Sequence, residues 1–112
     1  MKDDLELLNI DQFTGTEGYH NVLGANVTDG VAYIINNGYS WFVTDMLAVL
    51  RIKLKGEDFC TVKLKIKDHK AVATIDDGNG KVLYTQKYDY TDAKVDLTLF
   101  YTNNVLMLSG EY

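Results

Sequence analysis

The chain has 112 residues, a net charge of −5, 46 % apolar residues, one cysteine and no proline. That is enough for one domain over residues 1–112 with a core of its own, and it excludes a compositionally disordered chain, an internal disulfide and a general nucleic-acid clamp, which needs an excess of cations. The longest apolar runs, such as residues 46–50, are far short of the ~20 residues that span a bilayer, and the acidic start is unlike a secretory leader, so a soluble, cytoplasmic protein is expected.

Residues 3–10 carry Leu5, Leu7, Leu8 and Ile10, a pattern that fits a short helix or a strand. Two glycines and two threonines within 13–20 predict irregular backbone. Thr28 or Asn26 can cap a first helix with Val31, Ile34 and Ile35 on its apolar face, ended by Asn36-Asn37-Gly38. Ser40 can open a second, with Phe42, Met46, Val49 and Leu50 at helical spacing, running through about Ile52. Residues 51–55 also alternate, so a strand there is the other reading.

From residue 58 onward the period becomes two. Cys60, Val62, Leu64 and Ile66 are separated by Thr61, Lys63 and Lys65; Ala71, Ala73 and Ile75 by Val72 and Thr74; and Val95, Leu97, Leu99 and Tyr101 by Asp96, Thr98 and Phe100. A strand points successive side chains to opposite faces, so one face of this sheet is apolar and must be covered. Strands are expected at 59–67, 71–75, 81–88, 95–101 and 105–108. Turns at His69-Lys70, Asp77-Gly78-Asn79-Gly80 and Asn103-Asn104 separate them. The expected fold is α+β and two-layered, with N-terminal helices packed on one face of an antiparallel meander sheet of about five strands.

Several phrases occur in a characteristic order. They are Phe13-Thr14-Gly15-Thr16-Glu17-Gly18-Tyr19-His20, Thr28-Asp29-Gly30-Val31-Ala32-Tyr33, Gly38-Tyr39-Ser40-Trp41-Phe42-Val43-Thr44-Asp45, Asp76-Asp77-Gly78-Asn79-Gly80, Tyr90-Thr91-Asp92 and the ending Leu106-Met107-Leu108-Ser109-Gly110-Glu111-Tyr112. Over nearly its whole length the chain resembles a family of small bacterial and phage proteins classed as a domain of unknown function. The resemblance implies an accessory protein of phage or mobile-element type. It brings no catalytic residues with it.

The residues themselves point away from catalysis. Two distant histidines and the lone Cys60 have no metal-ligand spacing, so no metal and no cofactor is expected. His69 follows Asp68 in a turn and reads as solvated, and Cys60 reads as a small buried hydrophobe. His20 could act as a base if Glu17 or Asp29 oriented it. Counting a calcium loop from Asp77 puts Val82 where glycine is required and Tyr88 where glutamate is required, so that reading fails. Gly15-Thr16-Glu17-Gly18 lacks the lysine of a phosphate loop.

Charge and aromatic content remain. Residues 1–50 hold one base and seven acids, whereas 51–112 hold ten bases and nine acids. An acidic front half suits a basic partner, and tyrosine and tryptophan anchor interfaces. The expected partner-binding set is therefore Glu17, Tyr19, His20, Asp29, Tyr39, Trp41 and Asp45. The partner would be a host protein or nucleoprotein complex, for instance a defence nuclease complex that the protein inhibits. The alternative is a nucleic-acid-binding module using Lys63, Lys65 and Lys67 on one strand face, with Tyr84, Tyr88 and Tyr90 stacking bases if that face is shared. A homodimer through an exposed strand, such as the C-terminal one, fits either reading.

Overall fold

The computed structural model describes residues 9–112. The element expected at 3–10 lies almost wholly outside the described residues. Two three-residue strands come first, β1 (His20–Val22) and β2 (Ala25–Val27). They are joined by Leu23 and Gly24, both in the left-handed region (φ 52° and 83°), which a two-residue turn between twisted strands requires. A continuous helical segment follows. Its first part is α1 (Asp29–Ile34) and its second α2 (Ser40–Ile52). Between them Ile35–Tyr39 forms a wide joint, where Asn37 and Gly38 leave helical geometry. Gly38 reaches φ +100°, a conformation that costs residues with a Cβ about 1–2 kcal/mol.

The remaining strands are β3 (Phe59–Lys67), β4 (Lys70–Asp76), β5 (Val82–Tyr88), β6 (Leu97–Thr102) and β7 (Val105–Leu108). A 3₁₀ turn, Ser109–Glu111, closes the described chain. All seven strands form one sheet in the order β1-β2-β7-β6-β3-β4-β5.

This overturns the expected five-strand antiparallel meander behind N-terminal helices. Two strands precede the helices, and the sheet is mixed, because β2 and β7 pair in parallel. β6 pairs with β3 rather than with its predecessor β5. The reasons are physical. A three-residue strand is too short to display an alternation, so β1 and β2 leave no period in the sequence. The connection through residues 89–96 is long enough to recross the sheet to the far side of β3, three strand spacings or about 14 Å away. The C-terminal strand expected to be free for pairing is also internal, bonded to β2 and β6. Among the described residues the sheet edges are β1 and β5.

The period of two is realised as one covered face. Cys60, Val62, Leu64, Ala71, Ala73, Ile75, Leu97, Leu99, Leu106 and Leu108 are buried. Val31, Ile34, Phe42, Val43, Met46, Leu47 and Leu50 of the helical segment are buried in the same core. The other face carries the lysines. Lys65 of β3, Val72 of β4 and Lys87 of β5 stand in one cross-strand row, all exposed. At the opposite end of that face Phe59, Phe100 and Tyr112 pack ring against ring, with centroids 5.2 to 5.7 Å apart.

Cys60 lies inside, and burial, reinforced by Glu57, Asp76 and Asp77, pushes its thiol up to about 11. The unfolded thiol titrates near 8.5. Above that pH the unfolded state has lost a proton that the folded state keeps, so this group lowers stability progressively as pH rises from about 8.5 towards 11. Labelling by a disulfide reagent at pH 8 is expected to be slower than in denaturant by on the order of a thousandfold, the scale of the folding equilibrium. Equal rates would show that the thiol is accessible in the folded protein.

Candidate functional site

The first turn of α1 collects three segments distant in sequence. A helix leaves its first backbone N–H groups without intrahelical partners. Here Asp29 N–H donates to Thr16 Oγ1 (2.9 Å), Gly30 N–H to Glu111 Oε2 (3.0 Å) and Val31 N–H to Thr28 Oγ1 (3.4 Å). Thr28 is the N-cap residue. Its own hydroxyl donates to Glu111 Oε1 (2.6 Å), which also accepts from Leu108 N–H (3.0 Å). One carboxylate near the chain end thus stitches α1 to β7. Gly30 makes room for it, since a Cβ there would lie 2.5 Å from Glu111 Oε1 and 2.6 Å from Leu108 Cδ1.

Four of the residues expected to meet a partner gather beside this turn. Asp29 Oδ2 accepts from Glu17 N–H at 3.0 Å, and Asp29 Oδ1 lies 2.9 Å from His20 Nε2. The Glu17 amide first, and then His20, hold the Asp29 carboxyl below the ordinary carboxylate range. Tyr19 is 60 % exposed beside them. His20 and Asp29 do approach, as a base and its orienter would. The pair faces solvent, with side chains 52 % and 34 % exposed, and Asp29 is already engaged in pinning the 16–20 loop to the helix. The arrangement works as a clasp.

The other three expected residues lie elsewhere. Tyr39 is completely buried, and its hydroxyl donates to Val95 O and accepts from Val95 N–H, both at 3.2 Å. It anchors the connection before β6 and presents nothing outward. Trp41 is half-buried, its Nε1–H donating to Gly38 O (2.7 Å) and its ring meeting Tyr88 edge-on, 4.7 Å between centroids at 73°. Asp45 accepts from Tyr88 OH (2.8 Å) and more weakly from Gln86 Nε2 (3.4 Å). Burial, and then the bond to Asp45, raise the Tyr88 phenol pKa, so it stays neutral and donating.

Trp41 and Tyr88 form one wall of an open groove of about 420 Å³, completed by Gly38, Tyr90, Asp92 and Ala93. Tyr90 is 67 % exposed, stacks on His69 (5.7 Å, 10°) and donates to Asp92 Oδ1 at 2.6 Å. The expected surface therefore divides in two. The Asp29 corner adjoins β2 and β7, whereas the Trp41 groove adjoins β5, five strand steps or about 24 Å along the sheet.

A larger groove, about 540 Å³, lies between the end of α2 and the β6–β7 hairpin. Three of its polar side chains bond to one another. Arg51 Nη1 and Tyr101 OH both donate to Asn104 Oδ1 (2.6 and 2.7 Å), and Asn104 Nδ2 donates to Gly24 O (3.1 Å). That net ties α2 to both hairpins.

Lys63, Lys65 and Lys67 are exposed on the uncovered sheet face, as the alternative reading requires. Tyr84 and Tyr88, however, pair with Ile75 and Ala71 of the covered face. The rings and the lysines point to opposite sides of the sheet, so they do not form one stacking surface. Sequence reasoning missed Asp92 and Glu111. Asp92 had a local signal in the tyrosine two residues before it, whereas the partners of Glu111 are 81 and 83 residues away on one side.

Among the described residues no group of three or more His, Cys, Asp or Glu side chains converges as metal ligands. No helix among them is long and apolar enough to cross a membrane. Fold and site together define a small mixed-sheet α+β domain with its helical layer on one face and an acidic, aromatic groove at the β5 edge. The chain belongs to the family of unknown function DUF6876, whose model matches residues 5–112. No curated protein and no solved structure matches it.

Proposed function

We propose that the protein is a non-enzymatic binding domain that engages a basic surface of a protein partner through its helical side. The observation that carries this reading is the groove at Trp41, Tyr88 and Tyr90, where aromatic rings and a carboxylate stand together at the surface. Such rings supply most of the energy in protein interfaces, and carboxylates steer a basic partner into register. The exposed Tyr19 beside Glu17 and Asp29 gives a second foothold on the same layer. In the mobile-element setting that the sequence resemblance implies, the partner is a host protein or nucleoprotein complex in the cytoplasm, and binding blocks it.

Capture from host lysate on the immobilised chain tests this. A specific protein retained at low salt and released at high salt is the expected result. No protein retained at either salt overturns the reading. A mobility shift of single-stranded RNA or DNA that is lost on Lys63→Glu plus Lys65→Glu would move the function to the open sheet face.

A further inference from the structure

We propose that the groove at the β5 edge is a receptor for one arginine side chain of the partner, an inference that rests on the binding-domain reading and gives it a chemistry. A guanidinium is planar and is attracted to the faces of aromatic rings, tryptophan best. It also forms paired hydrogen bonds with a carboxylate. The groove offers both. Trp41 and Tyr88 meet at 73° and so form a corner of two ring walls, and Tyr90 and Asp92 line the same groove. Asp92 is the charged side chain among the described lining residues, and a carboxylate retains acceptor sites beyond the one that Tyr90 OH fills.

The walls are also held in place before any ligand arrives. Trp41 is fixed by its bond to the Gly38 carbonyl, Tyr88 by Asp45, and Tyr90 by Asp92 on its hydroxyl and His69 behind its ring. Preorganised walls spare the ordering cost that weakens flexible sites. A lysine ammonium would meet the same charge but lacks the flat face and the fork.

Trp41 is the only tryptophan in the chain, so its fluorescence reads this groove directly. The probe is a capped peptide with one arginine flanked by glycines. Controls carry citrulline, the neutral isostere, or lysine. A saturable change in Trp41 emission is expected with arginine, about tenfold weaker with citrulline, and weakened by salt. Asp92→Asn and Tyr90→Ala, both at exposed positions, are expected to weaken the arginine response about tenfold, each variant read against its own ligand-free spectrum, without altering the far-ultraviolet circular dichroism. No saturable change, or an equal response to citrulline, overturns the proposal. Protein capture that persists in Tyr90→Ala plus Asp92→Asn also overturns it, while leaving the binding-domain reading in place.

Discussion

Replacing Glu111 by alanine is expected to lower stability by about 2–4 kcal/mol, although the residue stands next to the end of the chain. Its carboxylate accepts from Thr28 Oγ1, Gly30 N–H and Leu108 N–H. Thr28 and Gly30 are buried, so removing the acceptor strands donors that water does not readily reach, and each stranded donor costs about 1–3 kcal/mol. The loss appears as a fall of roughly 10–20 °C in the unfolding midpoint for a chain of this size. Glu111→Gln keeps one acceptor oxygen and the shape, and should lose less. Gly30→Ala probes the same contact from the other side, because its Cβ would occupy the carboxylate's place. The two alanine variants combined should cost less than the sum of their separate effects, since removing Glu111 relieves part of the clash. Strict additivity, or a midpoint unchanged in Glu111→Ala, would mean that the carboxylate does not hold the helix start.

The second large effect is in the layer contact. Phe42→Ala is expected to cost about 3–5 kcal/mol. Phe42 is fully buried in the first turn of α2, where the helix meets the sheet. Removing the ring loses its transfer energy and leaves a cavity that a seven-stranded sheet is too rigid to fill. Ile52 supplies the internal control. It is a large apolar residue on the same helix but 73 % exposed, so Ile52→Ala should change stability by less than about 0.5 kcal/mol. Denaturant midpoints with unchanged slopes read both changes. Equal effects at the two positions would contradict the assigned helix face.

What could be read from the sequence was whatever is encoded locally. The alternation at 60–66 and 71–75 placed β3 and β4. Asn103-Asn104 placed the last hairpin, and both residues do take left-handed backbone (φ 53° and 61°). Helical spacing carried α2 to Ile52, where it ends. The unreadable parts depend on pairing across the chain. β6 reaches β3, β2 reaches β7 in parallel, and no local signal distinguishes those partners from nearer ones. The site shows the same division. The loop around Glu17 and His20 stood out as irregular and acidic, but its approach to Asp29, 12 residues from Glu17 and 9 from His20, had no local signal. The burial of Tyr39 was not legible either, because a phenol's hydroxyl can be satisfied inside a core when a backbone happens to pass it, here Val95, 56 residues on. Nor could composition reveal that Tyr84 and Tyr88 turn away from the lysines, since a bulge between Ile75 and Asp76 shifts the register of β5.

The groove and the lysine face are on opposite sides of one sheet, so a single mapping experiment separates them. Backbone amide and indole N–H resonances of the chain would be recorded with and without the captured partner. The largest changes are predicted at Gly38, the Trp41 indole, Tyr90 and Asp92, with the 63–67 strand unmoved. Changes centred on Lys63, Lys65 and Lys87, with the Trp41 indole unaffected, would contradict the account.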